Sequence, residues 1–109
     1  MFKTITEWIQ GKPARSSKWA SFRKAFLARN RTCAGCGTSV KLEVHHINPY
    51  HIRPDLELVE ENCIVLCDGG GSCHLSLGHL QDWESWNPTV RKDAKDYLQK
   101  VQTRPFYRR

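Results

Sequence analysis

No stretch of this 109-residue sequence approaches the roughly 20 apolar residues that a membrane-spanning helix needs. The opening residues, MFKTITEWIQGK, also lack the apolar core of a secretory signal. The expectation is a cytoplasmic protein with no membrane role, in a compartment where disulfides are disfavoured. Internal repeats and low-complexity tracts are absent, so one domain spanning residues 1–109 is expected for this length. The five cysteines do not make an even set, which argues against a closed disulfide framework and for metal binding. Acidic residues are scarce in the first half. Residues 1–54 hold two Asp or Glu against ten Lys or Arg, whereas residues 55–109 hold nine against seven. A net charge of +6 concentrated in this way suits a polyanion-binding face, because each neutralised phosphate releases counterions.

What is present divides into three stretches. Residues 1–31 form a basic helical N-terminal segment: a turn or two of helix in the first ten residues, then a helix from a Ser16 or Ser17 cap to about Asn30. Trp19, Phe22 and Phe26 fall on one apolar stripe of that helix, where core packing is the ordinary reading. Arg15, Lys18, Arg23, Lys24, Arg29 and Arg31 occupy the remainder, as a solvated face or a phosphate-binding one. Residues 33–80 hold all five cysteines and all five histidines: a tight turn at Cys33–Gly37, a strand over 41–47, a loop over 48–61, a buried strand over Cys63–Cys67, then a helix from about Cys73. Residues 87–104 read as a C-terminal helix, with Asn87 as cap, Pro88 at the first position, and Val90, Ala94, Tyr97, Leu98 and Val101 as its stripe.

Cysteine spacing selects a metal site. Cys33 and Cys36 make one short-spaced pair. On an extended strand Cys63 and Cys67 lie roughly 13 Å apart at about 3.3 Å per residue. Two thiolates on one tetrahedral zinc are only about 4 Å apart, from a Zn–S length near 2.3 Å. Cys63 therefore reads as a small buried hydrophobe, and Cys67 with Cys73 forms the second pair. The glycines between them allow the chain to fold back. A structural Zn2+ held by Cys33, Cys36, Cys67 and Cys73 is expected.

His45 and His46 fall inside this clamp, and His74 and His79 follow it. His45 and His46 are consecutive on a strand, so their side chains point to opposite faces and suit two different tasks. His74 follows a zinc-ligand cysteine directly, and His79 comes five residues later. His51 is read as an ordinary surface or core imidazole.

The ordered pattern Leu42-Glu-Val-His45-His46-Ile47-Asn-Pro49, Asn62, Leu66-Cys67 and Cys73-His74 resembles the HNH endonucleases, over about half of the chain. It is most similar to the small, free-standing members of phages and bacteria. The resemblance implies an α+β chain: a ββα-metal, treble-clef-like core stapled by zinc and flanked by N- and C-terminal helices. It implies a metal-dependent DNA endonuclease leaving 5′-phosphate and 3′-hydroxyl ends, in a bacterial cell or encoded by its phage. Double-stranded DNA is the expected partner, with a further protein as a candidate source of specificity. By position, His46 takes the slot of the general base, and Asn62 that of the residue tying the loop and orienting the base. His45 and His74 take the slots of ligands to a catalytic divalent cation: Mg2+, Mn2+, Ni2+ or Zn2+. Some relatives place a third ligand four residues after the helix-borne histidine, where this chain has Gly78. His79 is one step late and enters only if the helix ends at Gly78 or carries a π-bulge. The alternative is a zinc-stapled nucleic-acid-binding module without catalysis, which has no need of His45, His46 and His74 together.

Overall fold

The computed structural model describes residues 15–69 and 72–104. The short helix expected within the first ten residues, Gly70, Gly71 and the tail beyond Arg104 lie outside the described residues. The described chain is α+β. Helix α1 (Trp19–Arg29) leads to strand β1 (Leu42–His46), strand β2 (Cys63–Cys67), a π-helical turn (His74–Gly78) and helix α2 (Val90–Gln102).

The two strands pair antiparallel, with His45 opposite Ile64 and His46 opposite Cys63. An isolated two-stranded ribbon is marginal in water, and this one is covered on both faces. Side-chain alternation sends Val44, Cys63 and Val65 toward α1, where they pack with Phe26, Phe22 and Trp19. Ile64 and Leu66 face the other way, against Val90 and Ala94 of α2, Leu77 of the π-turn and the cysteines. Double coverage explains why all five residues of β2 are buried although the sheet has only two strands.

Two helix starts differ from expectation. α1 begins at Trp19 rather than directly after a Ser16 or Ser17 cap. Ser16 still organises the entry: its carbonyl accepts from Trp19 N–H (3.0 Å) and its hydroxyl from Lys18 N–H (3.1 Å). Its own N–H is drawn to the Glu57 carboxylate (3.1 Å), which holds residue 16 outside the helix. α2 begins at Val90, after Pro88. Asn87 is bound not only to Thr89 N–H (3.0 Å) but, through its amide, to Leu77 O (3.1 Å) and Asp93 (2.7 Å). It ties the helix to the π-turn instead of acting as a simple cap. Val90, Ala94 and Val101 are buried as expected, but Tyr97 on the same stripe is exposed. Its phenol tip gains more from water than from an apolar wall.

The loop over residues 48–61 contains two short 3-10 turns, Pro54–Leu56 and Glu60–Asn62. No helix among the described residues is long and apolar enough to cross a membrane.

Candidate metal centres

The tight turn at Cys33–Gly37 and the return of the chain after β2 bring four thiols together. Cys33, Cys36, Cys67 and Cys73 are all buried, and their sulfurs lie within 4.8 Å of one another. Cys36 Sγ and Cys67 Sγ are 3.7 Å apart, close to the roughly 3.8 Å that a tetrahedral Zn–S length of 2.3 Å requires. Backbone N–H groups of Gly35 and Cys36 point at Cys33 Sγ (3.3 and 3.4 Å), and that of Cys73 at Cys67 Sγ (3.5 Å). Such donors favour thiolates. The Cys73 thiol draws Cys33 down to about 4 and is itself pushed up, while burial raises Cys67. Four adjacent thiols cannot all ionise in a dry site without a cation. The turn is also shaped to exclude bulk: a Cβ on Gly35 would stand 2.6 Å from Leu77 Cδ1, and Gly37 has φ 82°. The cluster could hold a structural metal such as zinc. Cys63 stays outside it, its thiol against Val59 O (3.4 Å) and pushed up to about 11 by burial.

The second cluster joins His45 of β1 to His74 and His79 of the π-turn. An α-helical turn would send residues five apart to different faces; widening to i→i+5 hydrogen bonds restores them to one. His79 N–H donates to His74 O (3.1 Å) and Leu75 O (3.2 Å) at the end of that turn. One ligand nitrogen from each ring lies within 4.8 Å of the others. Gly78 permits the approach, since a Cβ there would sit 3.1–3.2 Å from the His45 ring.

The proton positions in this cluster follow from its outer partners. His74 Nδ1–H donates to the Asp68 carboxylate (2.9 Å) and His79 Nδ1–H to the Ser85 carbonyl (2.7 Å). Neither acceptor can donate, so both Nε2 atoms carry lone pairs in the neutral rings. Those two Nε2 atoms face each other at 3.3 Å, with His45 Nδ1 3.1 Å from His74 Nε2. Three nitrogens share at most one proton among them. The spacing matches the roughly 3.4 Å between nitrogens on a tetrahedral ion with 2.1 Å bonds. Burial holds His45 down to about 3 and lowers His79 as well, so neither repels a cation by being charged. His45 Nε2, on the far side of the ring from the cluster, is buried without a hydrogen-bond partner among the described residues, which carries a desolvation cost. Ring acceptors behind metal-facing nitrogens are the usual outer support of histidine ligands. Imidazole donors without a carboxylate suit Zn2+, Ni2+ or Co2+ better than Mg2+.

His46 points to the opposite face, as the strand alternation requires. Its ring lies 4.8 Å from that of Trp19, the end of an aromatic row continuing through Phe22 (5.8 Å) and Phe26 (6.1 Å). Nε2–H donates to Glu57 O (2.9 Å), which leaves Nδ1 as the lone-pair nitrogen. Burial lowers its pKa, so the ring is neutral at pH 7. The side-chain hydrogen bonds of Asn62 go to Asn48 and Leu56 rather than to His46. The Asn62 side chain closes the intervening loop: Oδ1 accepts from Asn48 N–H (2.9 Å), and Nδ2 donates to Asn48 O (3.2 Å) and Leu56 O (3.4 Å). It thereby fixes the residue next to Glu57, on which the His46 ring hangs.

The six basic residues divide evenly. Arg15, Arg23 and Arg29 are paired with Glu57, Glu43 and Glu60. Arg15 also lies over the rings of Trp19 (4.9 Å) and Tyr50 (4.4 Å). Lys18, Lys24 and Arg31 are exposed and form no ion pair among the described residues. His51 meets only the edge of Trp86 (6.2 Å) among described rings. Sequence reasoning overlooked Glu57, Asp68 and Trp83. Asp68 directly follows a ligand cysteine and Trp83 lies four residues after His79, so both could have been noticed; Glu57 depends on contacts between distant segments.

The fold and its two clusters define a small α+β protein with one four-cysteine and one three-histidine group that could each hold a metal ion. No family model, curated protein or solved structure matches the chain.

Proposed function

We propose that this chain is a metal-dependent HNH-type DNA endonuclease whose β1, β2 and π-turn form a zinc-stapled ββα-metal core. The observation that carries the reading is the division of labour across β1. His74 and His79 turn lone-pair nitrogens toward each other and toward His45 Nδ1, so that three ring nitrogens converge on one point. The adjacent His46 is held in a fixed tautomer on the other face. A pure binding module has no use for either arrangement.

His45, His74 and His79 would hold one divalent cation, which when bound supplies positive charge to the scissile phosphate and the leaving 3′ oxygen. His46 Nδ1 takes a proton from the attacking water as its oxygen bonds to phosphorus and the P–O3′ bond breaks. The departing 3′ oxygen collects a proton from solvent, giving 5′-phosphate and 3′-hydroxyl ends. Glu57 O holds the His46 ring by its Nε2–H and stabilises the imidazolium formed in this step. Lys18, Lys24 and Arg31 offer unpaired charge for the DNA backbone.

Supercoiled plasmid incubated with pure protein and Mg2+, Mn2+, Ni2+, Co2+ or Zn2+ tests this. Nicked or linear product is expected with at least one ion and none with chelator. His46→Ala should keep the fold, zinc and DNA affinity and lose cleavage by on the order of 10² or more. Wild-type protein that binds DNA but never cuts it returns the binding-module reading.

A further inference from the structure

Trp83 stands at the lip of the three-histidine centre. Its ring meets the edge of His74 at 5.2 Å between centroids and lies tilted against His79 at 4.8 Å, yet the residue is 56% exposed. A large aromatic left this open beside a polar cluster has a face to offer. The turn presenting it is strained: Leu80 and Gln81 both have positive φ, 54° and 71°, which non-glycine residues seldom adopt in succession. Gln81 N–H to Leu75 O (2.9 Å) and Asp82 N–H to His79 O (3.0 Å) hold the turn in place. Leu80, at its crest, is also exposed.

The charge of this turn selects its ligand. Residues 79–90 contain Asp82 and Glu84 and no Lys or Arg. The Asp82 carboxylate is engaged by Glu84 N–H (2.9 Å) and Ser85 Oγ (3.4 Å), and Asp68 stands behind His74. These acids disfavour a further phosphate on the turn itself, away from the cation that the three histidines would hold, so the turn does not track the DNA backbone. A nucleobase is flat, uncharged and apolar on its faces, and stacking on an indole ignores its identity. In a perfect duplex those faces are already stacked on neighbouring bases. Only an unpaired base has one to present.

We propose that Trp83 stacks on an unpaired base next to the scissile phosphodiester, so that the chain prefers bulged or single-stranded DNA to perfect duplex. This rests on the nuclease reading above. The probe is 2-aminopurine placed in a single-base bulge, with a fully paired duplex of the same sequence as control and His46→Ala as the non-cutting parent. The bulged probe's fluorescence should be quenched on binding. Adding Trp83→Ala should abolish the quenching and weaken binding to the bulged DNA about tenfold. Paired-duplex affinity, Tm and nickel affinity should not change, and Trp83→Phe should retain most of the quenching. Equal weakening on both DNAs, lowered nickel affinity, or a parent that never quenches overturns the proposal. If wild type quenches the bulged probe yet cuts no DNA, the nuclease reading falls and the stacking site stands. Cutting without quenching removes the stacking site alone.

Discussion

Cys33, Cys36, Cys67 and Cys73 are no more than 5% exposed, whereas in the neighbouring histidine cluster only His45 is buried and His74 and His79 are half-buried beside Trp83. Both groups draw on the hairpin and on the segment after β2, so they share a scaffold. They differ in what closes them. The thiol cluster is sealed by Leu77, Ala34, Val90 and Ala94 and has four donors for four positions. The imidazole cluster has three donors and an open side, the arrangement expected where a substrate must reach an ion. A sealed four-donor group suits a structural metal; an open three-donor one suits the catalytic role proposed above.

The largest effect should come from breaking the sealed cluster. Cys33→Ser removes a ligand from a site where a bound zinc would contribute on the order of 10 kcal/mol to folding. The variant should show no cooperative melting transition by circular dichroism and no stoichiometric zinc by elemental analysis. Leu66→Ala comes next. Leu66 is fully buried and packs in the core cluster that contains Cys33, Cys36, Cys67 and Cys73, so truncation should cost about 2–5 kcal/mol in a denaturant titration while zinc remains bound. Cys63→Ala should sit well below both, and it should keep its zinc. Loss of zinc in Cys63→Ala but not in Cys73→Ala would reverse the ligand assignment.

Gly78→Ala sharpens the comparison from the open side. Its Cβ would press on the His45 ring at 3.1–3.2 Å without straining the backbone. Nickel affinity should fall about tenfold with zinc content unchanged, a modest displacement cost. Calorimetry would read both. The smallest effect concerns DNA. Neutralising Lys18, Lys24 and Arg31 together should reduce the slope of log affinity against log salt by about 2.7 units. The same number of changes at Arg15, Arg23 and Arg29, already engaged by glutamates, should reduce it less.

Much of this arrangement was readable in the sequence because strand geometry is stiff. An extended CIVLC segment cannot bend two thiols to one ion, which separated Cys63 from Cys67, and alternation placed His45 and His46 on opposite faces. Both strands occupy the expected residues within one position at each end. What escaped the sequence lies where distant segments meet. Glu57 holds Ser16 N–H and, through its carbonyl, the His46 ring, 41 and 11 residues away in sequence. Nothing local announces either contact. The six-residue basic set looked uniform as composition, yet half of it is paired by acids from β1 and the loop before β2. His79 was ambiguous for a different reason: one residue of excess spacing forbids an α-helical ligand pair, and only the observed π-turn absorbs it.

Nickel titration of zinc-loaded protein by calorimetry tests the central contrast most directly, because it needs no substrate. The wild type should bind one Ni2+ per chain beyond its zinc. His45→Ala, His74→Ala and His79→Ala should each weaken that binding by tenfold or more without releasing zinc, and His46→Ala should leave it intact. Undiminished nickel binding in His74→Ala, or its loss in His46→Ala, would contradict the separation of the two faces of β1.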